Sequence, residues 1–151
     1  MPSMPDIYKL IKQDHDNHRR VLARLDETQG DSAERRELFE TLKREAEAHT
    51  AAEEQTFYAR LMAEPDGQEK SRHSVSEHKE AADILEELED MEFSSPGWLT
   101  RFRSLKEALE HHMDEEEDEV FALAKKLIPA EEAQAIGADF EARKVEELEE
   151  A

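Results

Sequence analysis

Six residues of this chain, His15, His49, Glu53, His78, His112 and Glu116, stand where apolar side chains are expected. Each interrupts a run of Leu, Ile, Phe and Ala spaced three and four residues apart, the pattern of an amphipathic helix whose apolar stripe turns inward. An imidazole or carboxylate buried without a partner costs several kcal/mol. Cations held among the six would satisfy them together. Four imidazoles with two carboxylates suit a pair of iron ions, although the same donors also accept zinc or manganese.

The elements that must position these groups can be read from caps, breakers and stripes. A first helix is expected from about Pro5 to about Thr28, with inward Ile7, Ile11, His15, His18, Leu22 and Leu25. Gly30 punctuates, and Asp31 with Glu34 has the spacing of a capping box. The second helix carries Leu38, Leu42, Ala46, His49, Glu53, Phe57 and Leu61 and stops near Ala63, before the turn Pro65-Asp66-Gly67. A third, from about Lys70 to Glu92, presents Val75, His78, Ala82, Leu85 and Leu88. Ser95 caps a fourth, with Pro96 in its first turn, and Trp98, Phe102, Leu105, Leu109, His112, Glu116, Val120, Leu123 and Leu127 share its inner face. Pro129 breaks the chain before a shorter fifth helix bearing Ile136, Phe140, Val145 and Leu148. Short connections favour antiparallel neighbours, so the expected fold is all-α: an up-down-up-down four-helix bundle with a short C-terminal fifth helix. The division is a tail at 1–4, a bundle at 5–127 and an extension at 128–151. The polar interruptions fall near mid-helix, where antiparallel helices meet at one level.

Helix phase separates neighbours. His111 and His112 are about 100° apart around a helix, and only His112 continues Leu105 and Leu109. By the same argument Glu116 alone of the run 114–119 faces inward, and the rest are expected to be solvated. His18 reads as packing or support around the centre, and His73 as surface. Tyr8 and Tyr58 read as amphipathic core residues with solvated hydroxyls.

Composition narrows the function. A formal net charge of −20 on 151 residues argues against nucleic-acid backbones and anionic membranes as partners. With no cysteine there is no disulfide, thiolate metal site or catalytic thiol. The opening residues lack a signal-peptide pattern and no stretch approaches the roughly 20 apolar residues of a membrane span. A soluble cytoplasmic protein is the expectation, with any signalling partner expected on a separate chain rather than as a fused sensor, kinase or F-box segment.

With these residues in place, the chain resembles the hemerythrin-like, or HHE cation-binding, family over about Asp6 to Leu127. The matching stretches are Asp14-His15, His49 through Tyr58 (with Glu53), Ser76-Glu77-His78, and His112 through Phe121 (with Glu116). The resemblance implies a four-helix bundle around two non-haem iron ions, oxo- or hydroxo-bridged. His15 and His49 would serve one iron, His78 and His112 the other, and Glu53 and Glu116 would bridge. Oxygen-carrying members of that family have a further histidine four residues before the one matching His78, where this chain has Ser74. The resemblance therefore implies a centre of four histidines and two glutamates with one position left to Ser74, His73, Glu77 or water.

Three functions are compatible with that reading. The first is a binding protein that takes up or senses O2, or a related ligand such as peroxide or NO, or that handles iron. The second is a di-iron oxidase or peroxidase, although the Glu-x-x-His motif of ferritin-like oxidases is absent from the sequence. The third is a structural bundle that binds metal to satisfy its core.

Overall fold

A computed structural model describes residues 5–150; the expected tail at 1–4 lies outside the described residues. Helix α1 is Ile7–Asp26, and its N-cap is Asp6, whose carboxylate accepts from Lys9 N–H at 3.0 Å. Helix α2 (33–62) comprises Ala33–Glu53, a wide π turn at Glu54–Tyr58, and Ala59–Met62. Its cap is Ser32, which accepts from Arg35 N–H. The Asp31–Glu34 capping box is thus one residue out of register. Asp31 instead pairs with the Arg36 guanidinium.

Helix α3 is Gln68–Asp90. Helix α4 (96–127) comprises Pro96–Glu115, a second π turn at Glu116–Val120, and Phe121–Leu127. It starts at Ser95 and Pro96 as the sequence predicts. Helix α5 is Ala130–Glu150. There is no strand among the described residues.

The first four helices alternate in direction and close a ring in which α1 touches α2 and α4, and α3 touches α4 and α2. Helix α5 is present and runs 21 residues. It lies against α1 and α2, burying Ala133, Ile136 and Phe140. A close approach allows this: a Cβ on Gly137 would sit 2.9 Å from the Pro5 carbonyl oxygen and 3.0 Å from Ile7 N.

The apolar interior forms two clusters. One gathers Ile7, Ile11, Phe57, Leu61, Phe121 and Phe140, and the other Leu22, Leu42, Leu85, Leu88, Trp98 and Phe102. The layer between them is polar. Arg35, buried in the second half, donates to the Thr28 and Phe93 carbonyl oxygens and lies 4.6 Å from the Trp98 ring, tying the α1–α2 connection down.

Candidate metal centre

All six sequence-predicted residues are buried and all six meet in that polar layer. Two groups of four donors form within it, His15, His49, Glu53 and Glu116 in one, Glu53, His78, His112 and Glu116 in the other. Each glutamate divides its oxygens between the groups. Glu53 sets Oε2 3.1 Å from His49 Nε2 and Oε1 3.1 Å from His78 Nε2. Glu116 sets Oε1 3.0 Å from His15 Nε2 and Oε2 3.5 Å from His112 Nε2. A cation bonded to nitrogen and oxygen at about 2.0–2.2 Å brings neighbouring donors to about 3.0 Å of one another in octahedral and about 3.3–3.6 Å in tetrahedral geometry, the range spanned here.

The protein alone leaves this layer unsatisfied. Both oxygens of Glu53, Oε1 of Glu116 and Nε2 of His15 are buried with no hydrogen-bond partner. The Nε2 atoms of His78 and His112 face each other at 3.0 Å, where at most one proton fits between them. The donor set fits two cations sharing two carboxylates.

Each imidazole is aimed from behind. His49 Nδ1–H donates to Asp14 at 2.7 Å, His78 Nδ1–H to Glu54 at 2.7 Å, His112 Nδ1–H to Glu77 at 2.9 Å and His15 Nδ1–H to Glu117 at 2.7 Å. Such bonds fix the tautomer and leave the Nε2 lone pair facing inward. They follow one rule: the carboxylate on each helix serves the histidine of the next, α1 to α2, α2 to α3, α3 to α4 and α4 back to α1. Each carboxylate is the sequence neighbour of one of the six central residues. At about 100° from the inward direction, it faces the adjacent helix. Glu117 and Glu115, expected to be solvated, have side chains only 18% and 14% exposed for this reason. Asp14 also accepts from Lys144 of α5 at 2.6 Å, and Glu117 pairs with Arg19 at 2.8 Å.

Two other expectations change. Ala81, not Ala82, lies on the inner face of α3 with Ser71, Ser74 and His78. Tyr58 is not solvated: its phenol is buried and donates to Glu116 Oε2, beside the Ser74 hydroxyl. The π turn brings it there. In each wide turn an N–H reaches five residues back, from Ala59 to the Glu54 carbonyl and from Phe121 to that of Glu116. The fifth residue after each central glutamate, Tyr58 and Phe121, thereby joins the interior. Tyr8 is also buried, its hydroxyl without a partner. The Ser74 hydroxyl thus has the Tyr58 phenol as its neighbour.

The charges are arranged as a metal-free layer requires. Burial opposes charge on His49 and His112, but Glu53 and Asp14 around one, and Glu116 and Glu77 around the other, raise both to about 10. Burial likewise opposes the Glu116 carboxylate, which His112 and His15 nevertheless hold well below its usual range. His18 is buried edge-on to His49, 5.3 Å between rings; burial and the His49 charge push it down to about 3, so it packs as a neutral ring. Burial and the Glu116 charge raise the Tyr58 phenol well above its usual value. His73 and His111 are exposed, as expected.

A cavity of about 280 Å³ reaches the four imidazoles from the α2–α3 side, its far wall made by Ala46, Ala81, Leu85, Leu109 and Met113. It is large enough for a small molecule beside the centre. Its wall is largely apolar.

Residues 6–124 match the family model of the hemerythrin HHE cation-binding domain. The chain belongs to that family. A crystal structure of a hemerythrin HHE cation-binding domain-containing protein from Mycobacterium kansasii superposes with a TM-score of 0.88 at 26% sequence identity, covering 97% of this chain and 90% of that one. A DNA nickase of Nostoc sp. (strain PCC 7120 / SAG 25.82 / UTEX 2576) is 24% identical over 139 residues, 92% of this chain. This HHE chain spans only 39% of the nickase's length. No helix among the described residues is long and apolar enough to cross a membrane.

Proposed function

We propose that this HHE domain is a non-haem di-iron protein that binds or senses O2 or a related small ligand such as peroxide or NO. The observation that carries the reading is the division of the Glu53 and Glu116 oxygens between two donor groups. His15 and His49 would hold one iron, His78 and His112 the other, with both glutamates shared. The Tyr58 phenol, which donates to Glu116 Oε2, would add an oxygen donor to the second iron. Bound iron would supply reversible redox chemistry toward O2. The chain's own residues keep Nε2 of each histidine facing inward, hold the compensating carboxylates, and line an apolar cavity that admits a small uncharged ligand.

A peroxidase or oxidase activity is the second reading, and Tyr58 favours it. A phenol lies beside Ser74, at the position where an oxygen carrier of this family has an imidazole. DNA lies outside the proposal, because a chain of net charge −20 repels a phosphate backbone. The test is anaerobic loading with ferrous iron, metal analysis, and then exposure to O2. Two iron ions per chain and an optical change on exposure are expected. Loading at or below background would refute the reading, and catalytic loss of added peroxide would select the second one.

A further inference from the structure

The outer side of the α3–α4 pair repeats the buried motif one residue out of phase. His73-x-x-x-Glu77 on α3 and His111-x-x-x-Glu115 on α4 immediately precede inward Ser74, His78, His112 and Glu116. His73 Nε2 lies 3.4 Å from Glu77 Oε2 and 3.2 Å from Glu115 Oε1. His111 Nε2 lies 3.0 Å from Glu115 Oε2 and 3.7 Å from Glu77 Oε2. Neighbouring donors of a tetrahedral ion with bonds of about 2.0–2.1 Å are about 3.3 Å apart.

We infer that His73, Glu77 and Glu115, whose donor atoms converge, form a separate mononuclear site for a zinc-type divalent cation, which the exposed His111 beside Glu115 joins as fourth donor by a side-chain rotation. The burial is graded as such a site needs. The two carboxylates are 14% exposed and held by their helices, whereas the imidazoles are 54% and 67% exposed and free to close from solvent. The charges agree. Asp14 and Glu117 behind the buried centre each have a Lys or Arg, but among the described residues Glu77 and Glu115 pair with no Lys or Arg, only with His73, His111 and, for Glu77, His112. Glu115 and the Glu77 Oε2 that faces it have only the exposed imidazoles of His73 and His111 beside them, and such a pair of carboxylate oxygens attracts a mobile cation. Two imidazoles and two carboxylates form an N2O2 set that suits zinc better than magnesium or calcium. The site also communicates inward, since Glu77 offers Oε2 to the surface ion while its Oε1 accepts from His112. An ion there draws charge from the carboxylate that orients His112, and so tunes a donor of the buried centre.

The test is calorimetric titration with zinc of the wild type and of the His73→Asn/His111→Asn variant, each iron-loaded and metal-free. Both substitutions are at exposed positions, and thermal melts verify that the fold is retained. The variant is expected to take up one zinc fewer per chain in both states while its iron content equals that of the wild type. His73→Asn alone is expected to weaken that zinc at least tenfold. Equal zinc uptake by wild type and double variant would overturn the site. The one-ion difference is expected whether or not the buried centre holds iron, so the two readings fail separately.

Discussion

Glu117 holds the Nδ1–H of His15 at 2.7 Å, and this bond closes the ring of carboxylates behind the four imidazoles. Glu117 sits on α4 and His15 on α1, so the end of the bundle sequence is fastened to its beginning. Arg19 pins the same carboxylate at 2.8 Å. Removing a carboxylate behind a metal-ligating histidine costs roughly 10–100-fold in metal affinity. Glu117→Ala is therefore expected to weaken the ion served by His15 by about that factor, and Glu117→Gln by less. Competition with a chelator of known affinity measures it. An unchanged affinity would show that packing alone orients His15.

His112→Ala is expected to lose at least one iron per chain, whereas His111→Ala retains both. His112 has its Nε2 in the layer, and His111 projects from it with 67% of its side chain exposed. Iron analysis of the two purified variants decides this. Equal iron loss from both would place the donor elsewhere.

Tyr58→Phe removes the one phenol hydrogen bond to Glu116 without changing the ring. A bond to a buried carboxylate contributes about 1.5–3 kcal/mol, so the metal-free variant is expected to melt several degrees lower. In iron-loaded protein the same substitution is expected to remove visible absorption that a phenolate donor confers. A variant with an unshifted midpoint and an unchanged spectrum would place Tyr58 outside the centre.

The metal-free protein is expected to lose stability as pH rises from about 6.5 to about 10. His49 and His112 have folded values of about 10, above the unfolded value of about 6.5. A raised folded value stabilises fully below the unfolded one and is lost as pH passes the folded one. Metal binding has the opposite dependence, because the same nitrogens must release protons to become donors. Melting midpoints against pH, with and without iron, should therefore diverge, and proton release should accompany iron uptake. Parallel curves would mean that the imidazoles are neutral in the metal-free layer.

The six central residues were legible because their types contradict the stripe that contains them, and helix phase alone separated His112 from His111. Three features were not legible. Tyr58 sits five positions after Glu53, which an unbroken α-helix turns away from the interior; only the π turn at Glu54–Tyr58 brings it in. Asp14, Glu54, Glu77 and Glu117 lie beside the stripe, where a carboxylate normally faces water. They serve histidines on other helices, a relation that spacing along one helix cannot contain. The Asp31–Glu34 spacing competed with Ser32 as the α2 cap, and the backbone chose the serine. Ser74 carries a practical lesson. A histidine there, judged from the family pattern alone, completes the donor set; in this interior the position is buried with the Tyr58 hydroxyl beside it, and adding a larger side chain to a packed interior typically costs about 1–3 kcal/mol.

The division of the apolar interior into two clusters separated by the polar layer has a consequence for how the protein opens. Each cluster draws side chains from several helices, and the clusters meet across a layer in which Glu53, Glu116 and His15 keep atoms without hydrogen-bond partners, which bound cations would satisfy. Ions at that level would splice the two halves into one cooperative block. Amide exchange should register this directly. With ions bound, slowly exchanging amides on both sides of Glu53 and Glu116 share a single opening free energy; once the ions are withdrawn, the Trp98 end and the Phe57 end breathe independently.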